Sequence, residues 1–168
     1  AVGYKAAEPE HSAAFVQHCV PAILEAVKEE PETSVAGQML KTIGTLLENA
    51  PASSLPAEAT TSASNIIFQL FEESLKRIDE LNEEKQALEG DEDEDDGEQL
   101  EEDAESEDWL LSECVGVVEQ LIKSTPSFLP LFSQTFMPLC QRLLANTMND
   151  DQHKHALCMY ADFIEHGQ

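Results

Sequence analysis

The sequence predicts an all-α fold, an α-solenoid of paired helices, on three observations. Apolar residues recur at helical spacing in six separate stretches. No strand alternation or glycine-rich loop competes with them. And one proline-containing helix, together with the helix that follows it, recurs later in the chain, as repeat architectures require.

The elements justify this in order. Residues 1–10 read as the end of a preceding helix, and with the missing initiator Met suggest a fragment. Ser12 to Glu29 is the first complete helix, with Phe15, Val16, Cys19, Val20, Ile23, Leu24 and Val27 on its apolar face and Pro21 as an internal kink. Pro31 marks a break. Thr33 to Asn49 carries Val35, Met39, Leu40, Ile43, Leu46 and Leu47, and the Pro, Ala and Ser of residues 51–57 form a turn. A long third helix runs from about Ala59 to Ala87. A fourth is expected near Asp108 to Lys123, closed by Pro126. A fifth spans Leu129 to Asn146 around Pro138, and a sixth covers Asp151 to His166.

Between the third and fourth helices lies Glu89 to Asp108, where fourteen of twenty residues are Asp or Glu. No basic residue stands between Lys85 and Lys123. Charges this close repel one another even across a Debye length of about 8 Å. The run is therefore expected to be a solvated, disordered loop, inserted at about 89–108 into a regular helical array.

The repeat supports that placement. Phe15, Val20, Pro21 and Val27 recur 117 positions on as Phe132, Met137, Pro138 and Leu144. Leu40, Ile43, Gly44, Leu46, Leu47 and Glu48 match Leu157, Tyr160, Ala161, Phe163, Ile164 and Glu165 at the same offset. Val118 to Tyr160 is 42 residues, a HEAT-type period, whereas Ile43 to Val118 is 75, an excess of 33. The division that follows is three HEAT-type hairpins: 11–50, 57–125 with a long first helix and the acidic insertion, and 127–168. An up-and-down bundle with coincidental prolines is the bland alternative.

Composition narrows the function. A net charge of −25 opposes direct nucleic-acid binding and favours a basic partner. Cys19, Cys114, Cys140 and Cys158 lie inside apolar patterns without CxxC spacing, so reduced core thiols are expected rather than disulfides or zinc ligands. The longest uncharged run, Ser124 to Gln141, holds three prolines and many polar residues, so no membrane insertion is expected. His153, His155 and Cys158 do not share a helical face suited to a metal. His18-Cys19 reads as a packed or solvated pair rather than a nucleophile dyad. Carboxylates in a mobile loop lack the fixed geometry of acid–base catalysis and the spacing of an EF-hand. No catalytic residue, cofactor or metal is therefore expected.

What remains is a binding surface. The candidate partner-binding residues are Asp91, Glu92, Asp93, Glu94, Asp95, Asp96, Glu98, Glu101, Glu102 and Asp103 of the acid run. Trp109, the only tryptophan, reads either as a packing anchor or as an aromatic contact for a partner's Lys or Arg stem. Aligning the second helices of the three hairpins puts Gln38, Glu113 and His155 in one row, Thr45, Gln120 and Asp162 in another, and Glu48, Lys123 and Glu165 in a third. This face is expected to be the exposed concave surface, with Glu113, Gln120, Asp162 and Glu165 completing the candidate set. The acid run itself is either a docking surface for basic segments or a bland solvated loop.

Three stretches also resemble a known family: Leu157-Cys-Met-Tyr-Ala-Asp-Phe-Ile-Glu-His, the Phe128-Leu-Pro and Phe136-Met-Pro pair, and Glu84-Lys-Gln-Ala-Leu-Glu-Gly leading into the acids. They are similar to karyopherin-β (importin-β superfamily) nuclear import receptors, most of all the importin beta-3 (importin-5) branch in its C-terminal half. That resemblance implies a HEAT superhelix shuttling between cytoplasm and nucleus. It also implies basic cargo such as histones or ribosomal proteins, bound through nuclear localisation signals, together with Ran-GTP and nuclear pore proteins as partners. The alternatives are a HEAT scaffold of a larger complex and an acidic histone-binding protein.

Overall fold

The structure, a computed structural model, describes residues 9–88, 94–146 and 150–167. The expectations for residues 1–8 and for Asp91, Glu92 and Asp93 lie outside these. Every regular element in the described residues is helical: α1 Pro9–Glu29, α2 Thr33–Glu48, α3 Ala57–Leu88, α4 Glu94–Ser124, α5 Leu129–Leu131, α6 Met137–Ala145 and α7 Asp150–His166. A 3-10 turn, Pro126–Phe128, leads into α5, and a π turn, Phe132–Phe136, joins α5 to α6. Among the described residues no helix is long and apolar enough to cross a membrane.

The helices pair as hairpins and stack in two layers. α1 packs on α2, α3 on α4, and α6 on α7. α4 lies between α2 and α7 in one layer, while α3 touches α1 on one side and the turns flanking α5 on the other. One core runs through the stack, from Val16, Val20 and Leu24 to Phe128, Phe132 and Phe136. This is the HEAT-like array that the periodicity predicts.

Burial corrects the register by one residue. Val16, Val20, Leu24 and Val27 correspond not to the 117 offset but to Phe132, Phe136, Cys140 and Leu143, 116 positions on, and all eight are buried. Phe15 is 49% exposed while Phe132 is fully buried, so those two are not equivalent. In the second layer, Leu40, Ile43 and Leu47 align with Cys114, Val117 and Leu121 in α4. In α7 the same positions are Ala156, Met159 and Phe163. Aligning Pro21 with Pro138 misled by one because proline marks a lost backbone hydrogen bond, not a buried position. Pro138 has no N–H to give the carbonyl four residues back. The helix widens there instead, and Met137 donates to the Phe132 carbonyl.

The acid run is the largest departure. Helix α4 starts at Glu94, not near Asp108, so residues 94–108 are helical rather than a disordered loop. Three local effects outweigh the repulsion. Acids are favourable in the first turn of a helix, where they face unpaired N–H groups. Leu100 and Ala104 are half-buried along the α3–α4 seam. And α3 supplies cations: Lys85 sits 3.7 Å from Glu101, and Arg77 contacts Glu107 at 2.6 Å. Leu24 to Leu40 and Cys140 to Ala156 each span 16 residues, whereas Phe71 to Cys114 spans 43. The middle hairpin therefore carries 27 extra residues, fewer than the 33 expected. Of these, 79–88 and 94–105 extend α3 and α4 by roughly 15–18 Å.

Candidate partner-binding surface

The extended α3–α4 hairpin is rooted by one buried carboxylate. The Glu107 side chain is 5% exposed and accepts hydrogen bonds from three residues on two elements, α3 and α2. Arg77 of α3 donates through Nε at 2.6 Å and Nη2 at 2.9 Å, and Ser74 Oγ donates at 2.6 Å. Thr33 Oγ1, at the start of α2, donates at 3.0 Å. The hydrogen bond to Glu107 raises the Arg77 pKa further, against the opposing cost of burial. A buried charge demands partners of this kind. Here they lock α4 to both neighbours where the extra arms begin.

Beyond this root the hairpin is acidic on both arms. Asp79, Glu80, Glu83 and Glu84 are exposed on α3, and Glu101, Glu102, Asp103 and Glu105 on α4. Gln99 donates to Asp103 at 3.0 Å along the helix. Glu94, Asp95, Asp96 and Glu98 belong to α4, but their side chains are outside the described residues. Among the described residues near these acids, Lys76 pairs with Glu80 at 3.1 Å and Lys85 with Glu101.

Trp109 stands at the hairpin root and packs on α2. A Cβ placed on Gly37 would lie 2.6 Å from Trp109 Cζ3, so only glycine admits the ring this closely. The packing-anchor reading is therefore what the structure shows, yet the half-buried ring also reaches a cleft of about 460 Å³ on the α7 side. A second cleft of about 470 Å³ opens on the α2 side beside Arg77 and Glu107.

The predicted rows on α2, α4 and α7 come out differently from an open polar face. Glu113 and Gln120 are half-buried and line a groove of about 180 Å³ against Leu40, Gly44 and Thr45 of α2. Asp162 is 18% exposed and lies 4.0 Å from Lys123, which also pairs with Glu119. Burial raises the Asp162 pKa, and the Glu119 charge adds to it. Glu165 is exposed. His155 is buried, at 3% exposed, and pairs with Asp108 at 2.9 Å, joining α7 to α4. Its ring meets Phe71 edge-on. The one-residue slip explains the difference. Gln38 aligns with Ser112 and Lys154, all exposed, while Glu113, Gln120 and Asp162 fall in the grooves between helices.

Sequence reasoning missed Glu107, Arg77, Ser74, Thr33 and Gly37. Glu107 is one acid among many in its run, and only its facing arginine distinguishes it. The thiols divide as well: Cys114 and Cys140 are buried, whereas Cys19 is half-buried and Cys158 exposed, so not all four are core thiols. Burial pushes the Cys140 thiol up to about 12 and Cys114 upward too, which leaves both unreactive at neutral pH.

The surface thus offers fixed anionic charge flanked by shallow clefts, chemistry suited to binding cations. No curated protein matches the chain. A protein-family model does: the one described as importin repeat 6 matches residues 35–146, from α2 to the end of α6. That stretch covers well over half the chain and contains the whole acidic hairpin. The chain therefore belongs to the importin repeat family, whose members are transport-receptor scaffolds rather than enzymes.

Proposed function

We propose that the α3–α4 hairpin is a docking arm of a nuclear transport receptor, of the importin beta-3 branch, for basic nuclear-import signals or for the basic surface of Ran-GTP. The observation that carries this reading is the hairpin itself: two acid-lined helices extended past their neighbours and rooted by the Arg77–Glu107 pair. Dense charge on a rigid arm raises the encounter rate with a basic segment and rejects acidic competitors. The candidate residues Glu94, Asp95, Asp96, Glu98, Glu101, Glu102 and Asp103 belong to this arm. Glu113, Gln120, Asp162 and Glu165 belong to the adjoining helices that set register.

The test is a titration of a Lys/Arg-rich peptide in rising salt, on the chain and on a variant whose residues 79–105 are replaced by a short Gly-Ser turn. The intact chain should lose affinity steeply with salt, and the variant should bind more weakly with a flatter slope. Unchanged affinity and slope would make the hairpin a bystander. Cargo pulldown with and without Ran-GTP then separates a receptor, which releases, from a HEAT scaffold, which does not.

A further inference from the structure

The cleft on the α7 side of the hairpin root has a composition unlike the rest of the acidic surface. Its floor is apolar, formed by Trp109, Leu100 and Ala104, and its rim carries Glu105, Asp108 and Asp151. It already holds one lysine: Lys85 lines it, with Nζ 3.7 Å from Glu101 Oε1. Four lining carboxylates therefore face one ammonium group. A volume of about 460 Å³ accommodates one long side chain, not a helix.

We infer that this cleft is a subsite for a single lysine or arginine side chain of an extended basic segment. The methylene stem lies on Trp109, Leu100 and Ala104, and the cation meets Glu105 and Asp151 at the rim. Long basic side chains bury their stems on apolar surface while the charged head stays hydrated, and an indole is the strongest of the aromatic partners for a cation. Asp108 is held by His155 at 2.9 Å, so the rim nearest α7 keeps its geometry. Lys85 occupies part of the cleft as an internal competitor. The inference rests on the hairpin being a docking arm, and adds to it a place where one basic residue is read individually.

Because Trp109 is the only tryptophan, all tryptophan emission comes from the wall of this cleft. Hexalysine peptide is titrated into the intact chain at moderate salt while Trp109 fluorescence and peptide anisotropy are followed together. The double variant Glu105→Gln/Asp151→Asn should weaken binding about three- to tenfold. The charge-matched Asp79→Asn/Glu83→Gln, on α3 outside the cleft, should cost less than about twofold. Lys85→Gln should tighten binding by about twofold through loss of the competitor. Equal weakening by both double variants, with the peptide still bound, overturns the subsite and leaves the docking arm standing. No binding of hexalysine to the intact chain removes the docking arm and the subsite together.

Discussion

At the scale of single residues, the chain depends on one carboxylate that its sequence hides. Glu107 sits in a run of acids, and nothing in composition or period separates it from Glu105 or Asp108. Only the fold shows it buried against Arg77, Ser74 and Thr33. Replacing Arg77 with Met should leave that charge underpaired and destabilise the chain by about 1–3 kcal/mol. The figure is held below the fully buried case because Arg77 is 40% exposed and two hydroxyls still donate. Thermal melting checks it, and an unchanged midpoint would show that Glu107 does not root the hairpin. Asp162 has the opposite balance. Its carboxyl pKa is raised in the folded state by burial and by Glu119, so its ionised form opposes folding. The relative stability it confers is complete below its unfolded value and is lost as pH rises through the folded one. Asp162→Asn should therefore raise the melting temperature at neutral pH by about 1–3 °C. That gain should vanish below about pH 4, where both forms are neutral. A melting temperature lowered at pH 7 would mean that the Lys123 contact dominates instead.

At the scale of elements, the helices and their order were legible because each buries a stripe with a 3.6 period. Their extents were less so where charge and packing compete. The acid run looked unfoldable because repulsion shows in composition, whereas the opposing ion pairs come from α3, more than fifteen residues away in the chain. Lys85 meets Glu101 and Arg77 meets Glu107, pairings that exist only once the two arms are antiparallel. The π turn at Phe132–Phe136 was equally hidden, since Pro138 announces a defect without saying how the backbone absorbs it. Hairpin symmetry also decides which deletion is harmless. Removing residues 91–105 alone would strip one arm and leave Leu81 without its α4 partners. Replacing 79–105 by a Gly-Ser turn removes both arms at the same level and restores the spacing of the other two hairpins. The shortened chain should keep its core, with a melting temperature within a few degrees of the intact one. A loss of cooperative melting would show that the arms support the array. Gly37→Ala probes the neighbouring joint. The added methyl meets Trp109 at 2.6 Å, and displacing the ring should outweigh the helix propensity gained, at a net cost of about 1 kcal/mol. A shifted Trp109 emission should accompany the loss.

At the scale of the whole molecule, charge sets the conditions under which the array is stable. Thirty-four acidic residues against nine basic ones leave −25, with much of the excess in one hairpin. Salt and pH should therefore act on that hairpin before they act on the core. Added salt screens repulsion between neighbouring exposed acids more than it weakens the buried Arg77–Glu107 pair. Lowering pH from 7 toward the sequence pI near 4.2 protonates exposed carboxylates, relieving repulsion and removing the helix-opposing charge. Both changes should raise helical content. Helicity should therefore be higher in mildly acidic solution than at neutrality. Circular dichroism at 222 nm across the pH range measures this on the intact chain and on the 79–105 replacement. The intact chain should gain helix as pH falls from 7 toward about 4, while the replacement, which lacks the crowded acids, should stay nearly flat. Equal gains in both would place the responsive charges elsewhere in the array. A steady fall from pH 7 downward would mean that ion pairs, rather than repulsion, govern the hairpin.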